Sequence, residues 1–366
     1  MPTDHKGSFP GALRRAAALA GLVISLCALP ATMTRADDTR IDYLLFADVG
    51  ATHYVTANPD PRGDRNEWDP AATFIYSADG DRLRFFAELH KDTTDNEIAR
   101  LQAGWQLGAQ DTLWIGRFHN PQGYWSTQFH HGAYLQTSIS RPGIEALDDE
   151  GGVIPSHFIG WQLEGSHPVG RESSVRFELA AGASGALTED GLESPEILGP
   201  QRNPGPTASV RMSYSPVTGE PTSFGLFAGQ NRLASDENTL PEVDQTVVGG
   251  FAASEFHATR YVAALFYLHN RLSGAATGHG QFTNAYAQAE RQVTDTWTAY
   301  GRLELSSGAA GDPYLALFPQ FVNRQGLLGL RWDLPHQQAL KLEAARPRVG
   351  DKWLNSLAFE WSFVYP

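Results

Sequence analysis

Leu357-Ala-Phe-Glu-Trp-Ser-Phe-Val-Tyr365 is the stretch of sequence that decides the fold. Large apolar side chains, most of them aromatic, occupy every second position, and smaller or polar residues lie between them. This period of two predicts a β-strand with one strongly apolar face. On an edge strand of a soluble sheet such a face is an aggregation hazard, whereas an outer-membrane barrel turns it towards lipid. The stretch therefore favours a transmembrane β-barrel.

The same stretch sets expectations for how the barrel closes. We expect Phe359, Trp361 and Phe363 to face lipid and Glu360 to face the lumen, because successive residues of a strand point to opposite faces. We also expect this strand to pair with the first strand near residues 42–46.

The N-terminal region predicts a secretory signal peptide over residues 1–36. Two basic residues, Arg14 and Arg15, precede an apolar run, and the small residues Thr34 and Ala36 precede the expected cleavage point. The run is shorter than the roughly 20 residues that cross a bilayer as a helix, although an uncleaved anchor is the alternative. The only cysteine, Cys27, lies in this region. We therefore expect a mature chain without disulfides.

The charge of the chain narrows the class of partner. The formal net charge is −13, and residues 1–36 hold more basic than acidic residues, so the remainder is more acidic still. An acidic chain is not expected to bind nucleic acid. Acidic outer loops suit an exported protein, but the overall charge does not set the charge of a pore.

Alternating segments recur over residues 37–366, which we predict to form one antiparallel outer-membrane β-barrel of about 16 strands. Even-numbered strands end in short turns rich in Gly, Pro, Asn and Asp, whereas most odd-numbered strands end in long segments. Short turns at one end and long loops at the other are typical of such barrels. The predicted strands are approximately 40–49, 70–77, 82–91, 97–107, 112–118, 157–165, 173–183, 207–215, 222–230, 245–255, 259–269, 282–291, 296–306, 326–333, 338–346 and 356–365.

Charged residues share one face of many of these strands. Arg84 and Glu88 alternate with Leu83, Phe85 and Leu89. An arginine or lysine on the lipid face near midplane costs about 2–4 kcal/mol, so we expect the charged face to line a wet lumen. Strands 112–118 and 259–269 are partly apolar on both faces, and their orientation stays open. The same alternation holds for Arg176 and Glu178, for Arg302 and Glu304, and for Arg331 and Asp333.

A soluble β-sandwich is the alternative fold, because its strands also alternate apolar and polar faces. A sandwich explains neither the terminal strand nor the difference in length between the two sets of connections. We therefore prefer the barrel.

Residues 119–156, between the fifth and sixth predicted strands, form the candidate constriction loop. A barrel of 16 strands leaves an aqueous channel, so something has to narrow it. This segment contains Tyr124, Trp125, Phe129 and Tyr134, which a loop packed against the inner wall would use as anchors. An ordinary extracellular loop with a small core of its own is the alternative.

Trp114-Ile-Gly-Arg-Phe-His-Asn-Pro-Gln-Gly123 is similar to the segment that opens this region in phosphate-selective-type porins. With the signal peptide, the strand number, the loop asymmetry and the terminal strand, the chain resembles the bacterial outer-membrane porin superfamily. It departs from the family at its end, where Pro366 follows Tyr365 in place of a terminal Phe.

The resemblance implies a channel in the outer membrane for passive diffusion of small hydrophilic solutes or ions. It also implies a homotrimer in contact with outer-membrane lipid, without a cofactor. A barrel plugged by its long loops, acting as an adhesin, a scaffold or a lipid-active enzyme, is the alternative function.

The resemblance further implies acidic residues on the constriction loop that face arginines of the wall. Opposed clusters of charge would set up a field across the pore. Pairing of the arginines with acids on neighbouring strands, such as Glu88, is the alternative. The residues in question are Glu145, Asp148, Asp149 and Glu150 on the loop and Arg84, Arg100 and Arg117 on the wall.

Histidines in this region are candidate metal ligands, since imidazole commonly binds metals. His119, His130 and His131 lie in the candidate loop, and His157 lies at its edge. No cysteine or suitably spaced carboxylate completes a ligand set, so we expect pore lining or packing instead. The sequence also contains no Gly-x-Ser-x-Gly, His-Glu-x-x-His or P-loop motif, and we predict that the protein is not an enzyme.

Overall fold

The computed structural model describes residues 39–55, 66–93, 96–129, 132–148, 151–198, 204–235 and 239–366. The predicted signal peptide and the residues His130, His131, Asp149 and Glu150 lie outside the described residues. No helix within the described ranges is long and apolar enough to cross a membrane.

Sixteen antiparallel strands within the described residues close into a barrel, as predicted. Each strand pairs with its neighbours in sequence, and the last strand pairs with the first. The strands are β1 Arg40–Tyr54, β2 Asn66–Asp79, β3 Leu83–Lys91, β4 Asn96–Gln106, β5 Asp111–His119, β6 His157–Val169, β7 Ser173–Ser184, β8 Pro206–Ser215, β9 Ser223–Leu233, β10 Pro241–Phe256, β11 Thr259–Gly274, β12 Gly278–Gln292, β13 Trp297–Ser307, β14 Val322–Leu334, β15 Gln338–Val349 and β16 Ser356–Tyr365.

Smaller elements lie in the long connections. The loop after β5 contains helix α1, Trp125–Gln128, and a 3-10 helix, Gly143–Glu145. A small hairpin of Ala186–Thr188 and Gly191–Glu193 follows β7. The loop after β13 contains two further 3-10 turns, and the two-residue strand Lys352–Trp353 pairs with the end of β15.

The outward face of the barrel is an apolar belt. Leu303 and Leu328 are 73% and 72% exposed, whereas Arg302, the residue before Leu303 on β13, is buried. Trp297 and Trp332 are cross-strand neighbours and stack with 5.3 Å between ring centroids, as in the aromatic girdles of membrane barrels. A continuous belt of exposed apolar side chains is stable against lipid and not against water. The barrel therefore spans a membrane.

The closing strand is shifted along β1 relative to expectation. Phe363 lies opposite Ala47 and Trp361 opposite Val49, so the expected pairing near residues 42–46 is wrong for most of its length. The first strand is longer than predicted and its first residues extend beyond the end of β16. Barrel closure requires a stagger of this kind because the strands tilt. Glu360 is buried on the inner side, as expected.

The two strands whose orientation the sequence leaves open are apolar on both faces. In β5, Ile115 is 65% exposed on the outside, while Trp114 and Phe118 are buried inside. In β11, Leu265 faces outward and Phe266 is buried inside. Loop residues cover the inner face of β11, whereas Trp114 and Phe118 of β5 pack against other residues of the wall.

Candidate functional site

The long loop (residues 120–156) folds into the barrel and lies against the inner face of its later strands. Charged side chains of that wall donate to main-chain carbonyls of the loop. Arg302 on β13 donates to the carbonyl of Arg141 at 2.6 Å. Arg331 on β14 donates to the carbonyl of Tyr134 at 2.7 Å, and its guanidinium lies 5.0 Å from the centre of the Tyr134 ring. These hydrogen bonds satisfy main-chain carbonyls of the irregular loop, which has no strand partner to bind them.

Carboxylates of the same wall accept hydrogen bonds from main-chain N–H groups of the loop. Glu304 on β13 accepts from Gly143 at 3.0 Å and from Ile144 at 3.2 Å. Glu343 on β15 accepts from Ile139 at 3.0 Å. Hydrogen bonds to an ionised acceptor are stronger than neutral ones. The wall therefore provides hydrogen-bond partners for both the carbonyl and the N–H groups of the loop backbone.

Aromatic side chains at the start of the long loop pack among other groups of the wall. Trp125 is fully buried, and its ring centroid lies 6.4 Å from that of Tyr286. Arg260 on β11 donates to the hydroxyl of Tyr124 at 2.8 Å and lies 5.2 Å from the centre of the Phe129 ring. The structure thus brings the expected loop aromatics to the inner wall.

Two further loops extend this packing into an internal core. Leu187 and Leu192 of the small hairpin are buried in it, as are Tyr314 and Phe318 of the loop after β13. The hydroxyl of Tyr314 donates to the carbonyl of Val153 at 2.9 Å. The core also contains inward residues of β9–β12, so this side of the barrel is filled.

The opposite side contains the lumen cavity, a space of about 350 Å³ bounded by β2–β7 on the wall and by Pro121 and Thr127 on the long loop. Arginines and acids alternate over its surface, together with the edges of Phe86 and Trp114. A path for hydrophilic solutes requires a charged or polar lining, and the lumen cavity has one.

Arginines of the lumen cavity are paired with acids. Arg100 lies 2.5 Å from Glu88, and Arg84 lies 2.5 Å from Asp79. Opposite charges on adjacent strands favour each other, so these contacts agree with the pairing alternative. Each guanidinium also covers a ring: Arg100 lies 4.2 Å from the centre of Phe86.

Arg117 lies elsewhere. It is only 2% exposed, donates to Glu97 at 2.8 Å and to the carbonyl of Ile98, and borders a second cavity near the long-loop end of β4–β6. Close to Glu97 the β3–β4 ladder shifts register and leaves Ala99 without an opposite residue. A β-bulge of this kind re-aims side chains, and alternation alone does not reveal it.

Glu145 and Asp148 are both buried and bound by neutral donors. Tyr286 donates to Glu145 at 2.6 Å, and Ser194 donates to Asp148 at 2.5 Å. Burial raises the pKa of both carboxyls, and these hydrogen bonds partly offset the effect. Within the described residues neither carboxylate forms an ion pair with the arginines Arg84, Arg100 or Arg117.

The described histidines contact each other and nearby polar groups. His119 borders the lumen cavity, with its Nε2 3.8 Å from a carboxylate oxygen of Glu88. The His119 and His157 rings meet edge to face, with 5.2 Å between centroids. Over the part of the chain that the structure describes, no group of three or more His, Cys, Asp or Glu side chains could hold a metal ion.

Several residues of the site were expected to face the lumen but were not assigned a role there. Arg176 lines the lumen cavity between Glu164 and Glu178, at 2.8 and 2.9 Å. Alternation along β7 places Arg176 on the inner face. A charge on that face was the signal in the sequence that Arg176 lines the lumen. The loop-binding role of Arg302 and Glu304 had no such signal, because it depends on a loop far away in sequence.

Comparison with known proteins bears on the fold. No protein-family model matches the sequence, and neither does any curated protein sequence. Many solved structures match. The anion-selective porin from Comamonas acidovorans is 13% identical, with a TM-score of 0.59, over 90% of this chain and 100% of that one.

Two other matches are of the same kind. The outer-membrane channel DcaP of Acinetobacter baumannii is 10% identical, with a TM-score of 0.58, over 92% of this chain and 100% of that one. The in-vitro folded OmpT of Vibrio cholerae in its trimer form is 9% identical, with a TM-score of 0.55, over 90% of this chain and 100% of that one. The chain therefore has the barrel architecture of bacterial outer-membrane porins.

Proposed function

We propose that the protein is an outer-membrane porin that lets small hydrophilic solutes or ions diffuse passively through a water-filled channel. The lumen cavity is the observation that carries this proposal. It is lined by charged side chains inside a barrel whose outer face is apolar. A hydrophilic passage across a hydrophobic belt is what diffusion through an outer membrane requires.

We propose different roles for the charged residues singled out in the sequence. Arg84 and Arg100 border the path and act with their paired acids on passing ions. Glu145 and Asp148 hold the long loop in place, because each is bound by groups that are fixed in the fold. For Asp149 and Glu150 the constriction role remains a prediction.

We propose that the protein is not an enzyme. Within the described residues, Ser194 is a candidate nucleophile, since it contacts both His157 and Asp148. The serine lies between the two, whereas a catalytic serine needs the imidazole between itself and the carboxylate. In this order the carboxylate does not orient the imidazole as a base.

We also propose a homotrimer in the outer membrane of a Gram-negative bacterium. The support is the similar architecture of Vibrio cholerae OmpT, which has been solved in a trimer form. The mass of the detergent-solubilised protein, measured by light scattering with the detergent contribution subtracted, tests this. A mass of a single chain would contradict it.

Planar-bilayer recording of refolded residues 37–366 tests the channel. We expect stepwise, ohmic conductance that grows with salt concentration. A sealed barrel, plugged by the internal core, would insert without conducting and would favour the adhesin or scaffold alternative. A barrel assembled without lipid or detergent would contradict both.

A further inference from the structure

Two separate cavities lie along the wall formed by β3–β7. The first is the lumen cavity. The second, which we call the outer cavity, also has a volume of about 350 Å³ and lies at the ends of β4–β6 nearest the long loops. Arg117, Asp148, His157 and Ser194 border it, together with exposed Leu198.

A pair of histidines lies where the two cavities approach each other. His119 borders the lumen cavity, and His157 borders the outer cavity. They are cross-strand partners at the ends of β5 and β6. Their rings are in edge-to-face contact, at an interplanar angle of 67°. The two rings are therefore in direct contact between the two cavities, on neighbouring strands of the same wall.

Each ring is tied to polar groups on its own side. His157 Nδ1 is 3.0 Å from the hydroxyl of Ser194, which donates to Asp148. His119 lies 3.8 Å from Glu88, which also binds Arg100. These contacts set the orientation of the rings, as hydrogen bonds of the second nitrogen do for imidazoles in general.

Charged groups continue on both sides of the pair. The Arg117–Glu97 ion pair borders the outer cavity, and the Arg100–Glu88 ion pair borders the lumen. This polar series contrasts with the internal core on the opposite side, which is apolar. Small hydrophilic solutes would follow the polar side, because apolar packing leaves no hydrogen-bonding groups for them.

We propose that the contact between His119 and His157 is the narrowest point of the solute path and that the outer cavity is its entrance. The proposal rests on the channel function proposed above. Rotation of either ring would widen this point while the paired strands stay in place. The acidic end of the long loop then holds the entrance in shape and is not itself the barrier.

Cysteine substitution tests this directly, since residues 37–366 contain no cysteine. His119→Cys and His157→Cys would be refolded separately and treated, in a planar bilayer, with a positively charged methanethiosulfonate reagent. We expect each modification to reduce single-channel conductance by at least half. His269→Cys is the control, because His269 lies on the outward-facing row of β11 with Tyr267 and Leu265. Its modification should leave conductance unchanged.

Size selection provides a second readout. The double variant His119→Ala/His157→Ala should admit larger polyethylene glycols than the wild type, as measured by their effect on conductance. Cysteines that do not react, or that react without a change in conductance, overturn the inference and leave the channel function standing. Absence of any conductance in the wild type removes the channel function, and this inference with it.

Discussion

Arg302 on β13 donates a hydrogen bond to the main-chain carbonyl of Arg141, 2.6 Å away, across 161 residues of sequence. The same guanidinium donates to the carbonyl of Ser140 at 2.9 Å and lies 5.5 Å from the centre of the Trp125 ring. One buried side chain of the wall thus holds the middle of the long loop and its helix.

Arg302→Ala should release the loop without unfolding the barrel, because the strand ladders do not depend on this side chain. Hydrogen bonds to charged groups contribute about 1.5–3 kcal/mol each, so loop docking should weaken by a similar amount. We expect higher conductance with more current noise, and faster hydrogen exchange of loop amides. Arg324→Ala, at an exposed position on β14, is the control. Equal exchange in the two variants would contradict a loop-holding role for Arg302.

Arg100→Ala should make the channel more cation-selective. It leaves Glu88 without its ion-pair partner beside the lumen cavity. The reversal potential across a salt gradient measures the shift, and Glu88→Gln should shift it the opposite way. Arg117→Ala tests the outer cavity in the same way. If neither arginine variant changes the reversal potential, the arginines serve only to pair with acids inside the fold.

The pH dependence of loop docking should follow the buried Glu145. Burial raises its pKa above the ordinary value of 4.5, so the folded loop binds the proton more tightly than the released loop does. Its contribution to docking is therefore fully present at low pH and is lost as the pH rises towards the raised pKa. Loop amides, corrected for intrinsic exchange, should become less protected as the pH rises from the ordinary value of 4.5 through the raised pKa.

Two variants check the assignment to Glu145. Glu145→Gln removes the titration but keeps an oxygen to accept from Tyr286, so protection should vary less with pH. Glu255→Gln, on an exposed residue of β10, should behave as the wild type. A Gln variant whose pH profile matches the wild type would assign the effect to another group, of which Asp148 is the first candidate because burial raises its pKa as well.

Gly123→Ala should also loosen the loop. Gly123 has a φ of 117°, and a Cβ there would lie 2.4 Å from Glu145 Oε2. Backbone strain of this kind costs of order 1–3 kcal/mol, and the contact adds to it. Gly170 also has a positive φ, of 81°, but no atom lies within 4 Å of its added Cβ. Gly170→Ala, in the turn between β6 and β7, is therefore the control, and a loss of loop protection in Gly123→Ala alone assigns the effect to position 123.

Local pattern was sufficient to predict the barrel. Alternation in β16 and the difference between short turns and long loops depend only on neighbouring residues, and both predict the observed topology. The two-sided apolar character of β11 could not be assigned in this way. Phe266 faces inward because loops from other parts of the chain cover it, and that covering is a long-range property.

The sequence was sufficient to predict the sign of each charged side chain in the site and the strand face on which it lies. It did not predict the residue with which that side chain pairs. Alternation turns Arg100 inward, and Glu88 lies opposite it on β3. Arg117 instead pairs with Glu97, near the register shift of the β3–β4 ladder at Ala99. Glu145 was expected to face arginines, yet Tyr286 lies 141 residues away in sequence and binds it instead. Pairings over such distances are set by tertiary packing.

Docking of the long loop on the barrel wall has a consequence for the order of assembly. Lys341 on β15 donates to the carbonyl of Ala133, 208 residues earlier in the chain, at 2.5 Å. Contacts of such separation form late, because the chain between them has to be ordered first. A nascent barrel that lacks β15 therefore cannot complete the docking of the loop. During refolding, strand formation should precede the final pore size, and early insertions should be wider and noisier than mature ones.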